Sequence, residues 1–434
     1  MRITQIDLWH VAIPTRVPFR PSWIPGLLQT ANRFTLVRLR TASGLEGWSA
    51  GVAIARERQG LGSLLGPYLL GERADDIPSI RQRLREMSYL GIRAGWIEPA
   101  CWDIVGKARR EPVWALLGGR GGEVRVYAST GELKTGAERV KEVEARLAEG
   151  FEAVKLRVHA DTLEEDLAQI RETRRGVGDR VVLAADANQG WRVAAVADSP
   201  RWDEPRALAF CREAEALGLA WVEEPLPFDD YGALARLRTA VGVDVAGGEL
   251  NGQGLPEFGV MIEKGCYDVY QPDATFVGGI AEVWNIVRRV RAAGARYTPH
   301  TWSNGIGFGV NLHLQAASPW RDETWLEYPY DPPSWTVEAR DGILEAPWVQ
   351  RRGRLQIPEG PGLGFEVSRR ALRRFGRHFF RGTRARVAVS VVLERGLRAA
   401  REAGQAREAR LAARAVEVER GNAAASEPWR QAIA

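Results

Sequence analysis

Six ionisable residues each follow a short apolar run in the middle of this sequence. They lie 37, 26, 24, 27 and 27 residues apart and are Asp186, Glu223, Glu249, Asp273, His300 and Glu327. A barrel of alternating strands and helices repeats at a similar length of chain, and such barrels carry their catalytic groups at the C-terminal ends of several strands. We therefore interpret the six residues as the rim of an active site.

The first three, Asp186, Glu223 and Glu249, end consecutive predicted strands and would converge on one face of a barrel. Carboxylates held close together repel each other unless a cation neutralises them, and all-oxygen ligation suits a hard ion such as Mg²⁺. The sequence therefore predicts a divalent metal site. Taken singly, each carboxylate could instead be a surface charge or a helix cap.

Asp273 and His300 end the next two predicted strands. An aspartate bonded to one imidazole nitrogen fixes the tautomer and raises the basicity of the other nitrogen, which makes a general base. His300 lies in the polar, glycine-rich stretch TPHTWSNGIG, which is typical of an active-site loop. Glu327 could donate a proton if its surroundings raise its pKa, or it could be a helix-capping charge.

Basic residues alternate on the preceding strand. Lys155, Arg157 and His159 are two residues apart, so their side chains leave the same face. Burying this face requires anionic partners, either the metal-site carboxylates or an anionic substrate. The alternative is an edge strand with solvated basic residues, and His159 could simply lie in the following loop.

The elements that must position these residues form three segments. Residues 1 to about 55 alternate like an antiparallel sheet and residues 61 to 117 have helical spacing, which predicts an α+β domain over residues 1–123. Eight strand-like runs alternate with helical segments over residues 124–367, as an α/β barrel requires. A doubly wound sheet would need a glycine-rich phosphate loop after its first strand, and YASTGELKTG lacks that pattern.

The third segment, residues 368–434, is rich in Arg and Ala and is predicted to be a helical extension. From Phe375 onward twelve arginines stand against six glutamates, so the net charge of +5 comes from this segment and the rest is nearly neutral. We interpret the extension as a solvated or subunit-packing helix rather than an arm that binds nucleic acid or a membrane surface.

Composition narrows the class of protein. The N-terminus lacks the features of a signal peptide, and no apolar run reaches the roughly 18 residues that a membrane span needs. The three cysteines, Cys101, Cys211 and Cys266, lack metal-site spacing and favour reduced thiols. We expect a cytoplasmic protein, in a homo-oligomer, that binds a small carboxylate and neither nucleic acid nor membrane.

Several motifs together resemble the enolase superfamily and, more narrowly, its mandelate racemase subgroup. They are KLR at 155–157, DANQGW at 186–191, WVEEP at 221–225, GGE at 247–249, QPDATFVGG at 271–279, PHTW at 299–302 and WLEYP at 325–329. The resemblance extends from residue 1 to about 367. It implies a modified TIM barrel, (β/α)7β, with an α+β N-terminal capping domain, and one Mg²⁺ per subunit on Asp186, Glu223 and Glu249.

The resemblance also implies a role for each remaining rim residue. Asp273 and His300 would be the base that removes the proton α to a carboxylate, Glu327 would hydrogen-bond the enediolate, and Lys155 would contact the substrate carboxylate. Arg157 departs from the pattern, because a racemase of this subgroup carries a second lysine there. A guanidinium stays protonated at neutral pH and is a poor base.

A one-base reaction is therefore expected. The most economical one is β-elimination of water from a 2,3-dihydroxy acid, as sugar-acid dehydratases of this subgroup perform. Racemisation or epimerisation of a 2-hydroxy acid remains an alternative, as does a non-catalytic assembly protein that acts through its basic extension. The muconate-cycloisomerase-like branch is disfavoured, since YQPDATF has no lysine on the sixth strand.

Substrate identity is expected to depend on a loop of the capping domain near residues 15–30, TRVPFRPSWIPGLLQ. Arg16, Arg20 and Trp23 are its candidates for contact with hydroxyls or a distal carboxylate, although they could equally be ordinary loop surface. Three further substrate-binding candidates, His159, Asn188 and Trp302, come from the barrel.

Overall fold

The computed structural model describes residues 1–52, 61–420 and 428–433. The predicted antiparallel segment reached about residue 55, so its last residues, 53–55, lie outside this range. Within the described residues no helix is both long and apolar enough to cross a bilayer. Three short 3-10 helices lie at Gly95–Ile97, Gly178–Arg180 and Pro428–Ala432.

The capping domain begins with three antiparallel strands, β1 (Ile3–Phe19), β2 (Gln29–Thr41) and β3 (Glu46–Val52). β1 pairs with β2 over most of its length, with Val11 opposite Phe34. Four helices follow: α1 (Leu61–Leu69), α2 (Ile77–Tyr89), α3 (Pro99–Arg109) and α4 (Val113–Leu116). The predicted α+β cap is confirmed.

Eight parallel strands form the barrel. They are β4 (Glu123–Ser129), β5 (Ala153–Arg157), β6 (Val182–Asp186), β7 (Trp221–Glu223), β8 (Asp244–Gly247), β9 (Val269–Tyr270), β10 (Arg296–Tyr297) and β11 (Leu326–Pro329). The sheet order is β10-β9-β8-β7-β6-β5-β4-β11. Consecutive strands from β4 to β10 therefore pair with each other, and β11 pairs with β4. Between β10 and β11, Thr298 Oγ1 donates to Trp325 O at 2.8 Å, which links the two ends of the sheet. The predicted barrel is confirmed.

Helices lie between the barrel strands. They are α5 (Gly136–Ala148), α6 (Leu163–Val177), α7 (Glu204–Ala216), α8 (Tyr231–Ala240), α9 (Leu255–Lys264), α10 (Ala274–Val277), α11 (Ile280–Ala292) and α12 (Gly305–Ala317), and the short helix α13 (Val337–Asp341) follows β11. The sequence specifies where several begin. Thr135 and Glu138 form a capping box at the start of α5, and Thr162 and Glu165 form another at α6.

The parallel register sets the rim. Arg157 lies opposite Asp186, and Asp186 lies opposite Glu223, so the last residues of β5, β6 and β7 form one row. Every residue of β5 is buried, including Lys155 and Arg157. β5 is therefore an interior strand, and the alternative of a solvated edge strand is wrong.

The C-terminal segment returns to both sheets. β12 (Arg354–Gln356) pairs antiparallel with β4, α14 (Arg369–Phe375) follows, β13 (Gly376–Thr383) pairs antiparallel with β1, and α15 (Arg384–Arg420) is interrupted at Gly396. A helical extension was predicted from residue 368, but Gly376–Thr383 form a strand. Pairing with β1 explains the difference, and Phe380 of this strand packs directly against Gly62 of α1.

Two truncations should separate the roles of β13 and α15. Two arginines attach α15 to the capping domain. Arg410 pairs with Glu72, and Arg414 Nε lies 3.0 Å from Asp76 Oδ2. Partly exposed ion pairs of this kind stabilise a fold by about 0 to 1 kcal/mol each. A chain shortened to Thr383 loses these pairs and also the buried Trp429, which packs edge-on against Trp102, so it should fold with a clearly lower melting temperature. A chain shortened to Phe375 exposes the edge of β1 and should aggregate. Thermal melting and gel filtration measure both, and a soluble, equally stable Phe375 truncation would contradict the role given to β13.

Candidate active site

Three buried carboxylates meet at the C-terminal ends of neighbouring strands. Asp186 and Glu223 are the last residues of β6 and β7, and Glu249 follows β8 by two residues. Their exposed fractions are 0, 1 and 5%. The register that pairs Asp186 with Glu223 brings the predicted metal-binding residues together at one rim.

Two cations from β5 lie among these carboxylates. Lys155 Nζ is 2.6 Å from Glu223 Oε1, 2.9 Å from Glu327 Oε1 and 3.2 Å from Asp186 Oδ2. Arg157 hydrogen-bonds Asp186, and its Nε donates to Thr130 O at 2.5 Å. Burial alone would lower the pKa of Lys155, but Glu223 and Glu327 hold it well above the ordinary value. Both basic side chains are thus fixed as cations.

The carboxylates respond unequally to this charge. Burial, reinforced by Asp186 and Glu327, raises the pKa of Glu223 to about 8 although Lys155 opposes the rise. Burial also raises the pKa of Glu249, with His300 opposing it. For Asp186 the order is reversed, because Arg157 and Lys155 outweigh burial and lower its pKa. The rim therefore has more negative charge than its two cations neutralise.

Carboxylate oxygens are the ligands that a hard divalent cation prefers. Asp186, Glu223 and Glu249 supply such oxygens from adjacent strands, and burial together with neighbouring carboxylates raises the pKa of the two glutamates. Among the described side chains, no group of three or more His, Cys, Asp or Glu residues is arranged to hold a metal. Lys155 and Arg157 instead hydrogen-bond the oxygens of Asp186 and Glu223.

The histidine and aspartate predicted to form a base are in contact. His300 Nδ1 donates to Asp273 Oδ2 at 3.0 Å, which leaves Nε2 as the acceptor of the neutral ring. Asp273 Oδ1 accepts from the backbone and hydroxyl of Thr275, at 2.7 and 2.8 Å, and from Asn311 Nδ2 at 2.8 Å. These bonds fix the orientation of the pair.

The electrostatic surroundings of His300 are strongly anionic. Its Nε2 is 3.4 Å from Glu249 Oε2. Burial lowers the pKa of His300, but Glu249, Glu327 and Asp273 raise it to about 10. Part of this basicity therefore comes from Glu249, one of the carboxylates that a bound cation would neutralise.

Glu327 accepts hydrogen bonds on both oxygens. Oε1 accepts from Ser129 Oγ at 2.7 Å as well as from Lys155, and Oε2 accepts from Thr301 N at 2.6 Å. Burial raises its pKa, but Lys155, His300 and Arg157 outweigh burial and hold the pKa well below its usual range. A raised pKa was the condition for a proton-donating role, and in this arrangement Glu327 is an ionised acceptor.

A cavity of about 680 Å³ opens above this rim. Arg157, Asn188, Glu249 and His300 line its catalytic end. Aromatic rings form one wall, where Trp302 stacks on Phe19 and Trp23 meets Trp302 edge-on, with Trp335 beside them. The Arg157 guanidinium lies 4.9 Å from the ring centre of Trp23 and 5.2 Å from that of Trp302, which links the capping domain to β5.

The substrate-binding candidates divide into two groups. Trp23, Asn188 and Trp302 line the cavity, whereas Arg16, Arg20 and His159 are not among its lining residues. β1 continues to Phe19, so Arg16 lies on a strand and its exposed guanidinium is 3.8 Å from Glu338. Arg20 is exposed, and its backbone N–H donates to Glu132. His159 Nδ1 donates to Ser22 O at 2.9 Å, and its Nε2 lies 2.8 Å from Ser199 Oγ.

Most of the chain matches one enzyme family, in two parts. Residues 138–371 match the family described as enolase C-terminal domain-like, and residues 5–118 match the mandelate racemase / muconate lactonizing enzyme N-terminal domain. This chain belongs to the mandelate racemase / muconate lactonizing enzyme family of the enolase superfamily. The resemblance predicted from the motifs is confirmed.

Family members of several named activities are similar to this chain. D-galactarolactone cycloisomerase of Agrobacterium fabrum is 29% identical over 360 residues, which cover 78% of this chain and 90% of the relative. Arabinonate dehydratase of Saccharolobus solfataricus is 28% identical over 361 residues, covering 79% and 91%. L-talarate dehydratase of Polaromonas sp. JS666, solved with Mg and L-glucarate, has a TM-score of 0.72 and 26% identity, covering 88% of this chain and 99% of that one.

Some residues that support the site were missed by the sequence analysis. Gln271 Nε2 donates to Glu223 Oε2 at 2.9 Å, and Trp191 Nε1 donates to Glu249 Oε1 at 3.0 Å. Both residues lie within the motifs that resemble the enolase superfamily, so the sequence could have indicated them. Asn311 is a fully buried amide in the apolar helix α12, and buried amides need hydrogen-bond partners, which could have indicated it as well.

Asn311 should affect catalysis through the orientation of Asp273. Replacing it with Leu removes a hydrogen bond to Asp273, so we expect kcat to fall by about 10- to 100-fold with little change in KM. Gln315→Leu is the matched control, because Gln315 is also buried on α12 but bonds Thr324. Steady-state kinetics and melting curves of both variants check this. Equal losses of activity in the two would mean that Asn311 acts only on stability.

Proposed function

We propose that this chain is a Mg²⁺-dependent one-base hydro-lyase that dehydrates a 2,3-dihydroxy carboxylic acid, the class to which acid sugars belong. The observation that carries the proposal is the asymmetry of the cavity floor. The Asp273–His300 pair supplies a base at one side, and Arg157 stands where a second base would be needed. The dehydratase names of relatives agree with this class of reaction.

Each residue of the rim has a separate role in the proposed reaction. Asp186, Glu223 and Glu249 would hold Mg²⁺, which when bound supplies positive charge for the negative charge that develops on the substrate carboxylate. Lys155 adds a fixed cation beside it, and Glu327 and Glu223 keep that lysine in place. Asp273 keeps the His300 Nδ1 proton, so the Nε2 lone pair is available to the substrate.

The proton path needs a single histidine. His300 Nε2 takes the proton from the α-carbon, and the electron pair left behind forms the Cα–Cβ double bond as the bond to the 3-hydroxyl breaks. Protonated His300 returns its proton to the leaving hydroxide, which departs as water. The enol that remains ketonises to a 2-keto-3-deoxy acid, so the atoms balance with no co-reactant.

Arg157 argues against a two-base racemase. Asp186 and other rim carboxylates outweigh burial and raise its pKa further above the ordinary value, so it does not become a base near neutral pH. Its nitrogens are committed to Asp186, Thr130, Asn188 and Ser129. Some relatives are named as racemases or epimerases, so racemisation or epimerisation is the alternative to be tested.

The main experiment is a screen of 2,3-dihydroxy acids with Mg²⁺ that reads 2-keto acid formation with semicarbazide. We expect turnover that EDTA abolishes and Mg²⁺ restores. His300→Asn should lower kcat by about 100-fold or more, since it removes the general base. His378→Asn is the matched control, because His378 lies on β13 and bonds Asp7 in the capping domain. Retained activity in His300→Asn would refute the base assignment.

Arg157→Lys tests the one-base argument directly. A lysine can lose its proton when its surroundings lower its pKa, so we expect the variant to exchange the α-proton from the face opposite His300. Incubation in D₂O followed by NMR separates the outcomes. The parent enzyme should form keto acid without racemising recovered substrate. Recovery of both configurations from the parent enzyme would favour the racemase.

A further inference from the structure

We infer that the acid accepted by this site has an apolar substituent, alkyl or aryl, beyond its 2,3-dihydroxy end, and is not polyhydroxylated throughout. This inference rests on the proposed function and narrows its substrate class. It comes from one apolar part of the wall of the 680 Å³ cavity that His300 and Arg157 also line. We call this part the distal subsite, and the residues that define it are Ile24, Leu27, Leu28, Val193 and Val196.

The distal subsite is built by two loops. Ile24, Leu27 and Leu28 come from the connection between β1 and β2, and Val193 and Val196 come from the connection between β6 and α7. The loops meet at Gly26, where a Cβ would approach Val196 Cγ1 to 2.9 Å, and the positive φ of Gly26 (78°) suits glycine. The five side chains of the distal subsite are all hydrocarbon, whereas Asn188 and Trp191, earlier on the second loop, bring polar groups to the cavity.

Polar groups elsewhere in the cavity wall differ in their hydrogen-bond partners. Asn32 Nδ2 donates to Ser303 O and to Ala339 O, both at 3.1 Å. Asn304 Oδ1 accepts from Ile306 N and Gly307 N at the start of α12. Arg33 is exposed, and its guanidinium is 3.5 Å from Ala31 O. Ser303 Oγ, Trp302 Nε1 and Trp335 Nε1 have no hydrogen-bond partner among the described residues. These groups are not part of the distal subsite, whose five hydrocarbon side chains offer no partner to the hydroxyls of a polyol chain.

The apolar composition of the distal subsite favours an alkyl or aryl substituent over a polyol chain. A hydroxyl that leaves water without gaining a hydrogen bond is penalised on binding, and a polyol carries one on every carbon. An alkyl or aryl group is favoured by the same wall, because its own surface and that of the loops leave water together. Leu28 and Val196 are 48% and 59% exposed, so a bound apolar group has surface left to cover.

Matched substrates test the inference. The apolar probes are 2,3-dihydroxy-3-phenylpropanoate, which would lose water to give phenylpyruvate, and 2,3-dihydroxy-4-methylpentanoate, which would give 4-methyl-2-oxopentanoate. The polar probes are 2,3,4-trihydroxybutanoate and the hexonates, each used in both relative configurations. We expect kcat/KM to favour the apolar probes by about 10-fold or more, as small changes in a hydrophobic pocket do. A higher kcat/KM for any polyhydroxylated acid would overturn the inference.

A binding measurement separates this inference from the reaction itself. The His300→Asn protein with Mg²⁺ lacks the base, so calorimetric titration with 2-hydroxy-3-phenylpropanoate and with gluconate reports affinity without turnover. Tighter binding of the phenyl acid supports the distal subsite even if no acid is dehydrated, in which case only the proposed reaction fails. Tighter binding of gluconate overturns the apolar subsite even if dehydration is observed.

A variant of Leu27 localises the effect. Leu27→Asn places an amide of similar size in the distal subsite and should raise KM for the phenyl probe by about 10-fold, with KM for 2,3-dihydroxypropanoate, which has no distal group, unchanged. Leu393→Asn is the matched control, because Leu393 is 81% exposed on α15, and it should behave like the parent, with melting curves of all three proteins compared. Equal KM changes for both acids in Leu27→Asn would show that Leu27 does not contact the substituent, contrary to the inference.

Discussion

The buried ion cluster around Lys155 is the interaction on which the rest of the site depends. Lys155 Nζ touches Asp186, Glu223 and Glu327, which come from three different strands, and all four side chains are 0 or 1% exposed. Such clusters are weak evidence for stability, since an apolar core of similar volume is often equally stable, whereas removing one partner leaves an uncompensated buried charge. We therefore interpret the buried charges of the barrel as serving the reaction rather than the stability of the fold.

The capping domain is tied to this cluster by contacts that converge on Arg157 and its neighbours. The guanidinium lies against Trp23 of the cap and Trp302 of the barrel, and Ser22 Oγ donates to Asn188, which accepts from Arg157 as well. One cationic side chain thus contacts both Asp186 on the rim and the loop that walls the cavity. This explains why that loop has a defined position over the rim although it lies between two strands of another sheet.

The sequence could predict features that depend on residues close together in the chain, but not those that depend on residues far apart in it. Strand-end positions such as Asp186 and His300 were readable because the βα repeat places a polar residue after each apolar run. Arg16 was assigned to a substrate loop, but β1 extends to Phe19 because it pairs with β2 as far as Gln29, and such pairing depends on residues distant in sequence. The same holds for β13, whose partner β1 begins more than 370 residues earlier. Asn311 lay outside every quoted motif, and only its burial beside Asp273 reveals its role.

The charge balance at the rim connects the metal to the base. Five carboxylates, Asp186, Glu223, Glu249, Asp273 and Glu327, converge with two fixed cations, Lys155 and Arg157, which leaves three negative charges uncompensated. Burial and the neighbouring carboxylates raise the pKa of Glu223 to about 8, and Glu249, Glu327 and Asp273 outweigh burial and raise the pKa of His300 to about 10, so each group favours uptake of a proton. A divalent cation held by the carboxylates would meet most of the deficit without protons. It would favour the ionised form of Glu223 and lower the pKa of His300 from this raised value. The same carboxylates therefore set both the affinity for a cation and the proton affinity of the base, so the two properties cannot be adjusted separately by changing Glu249.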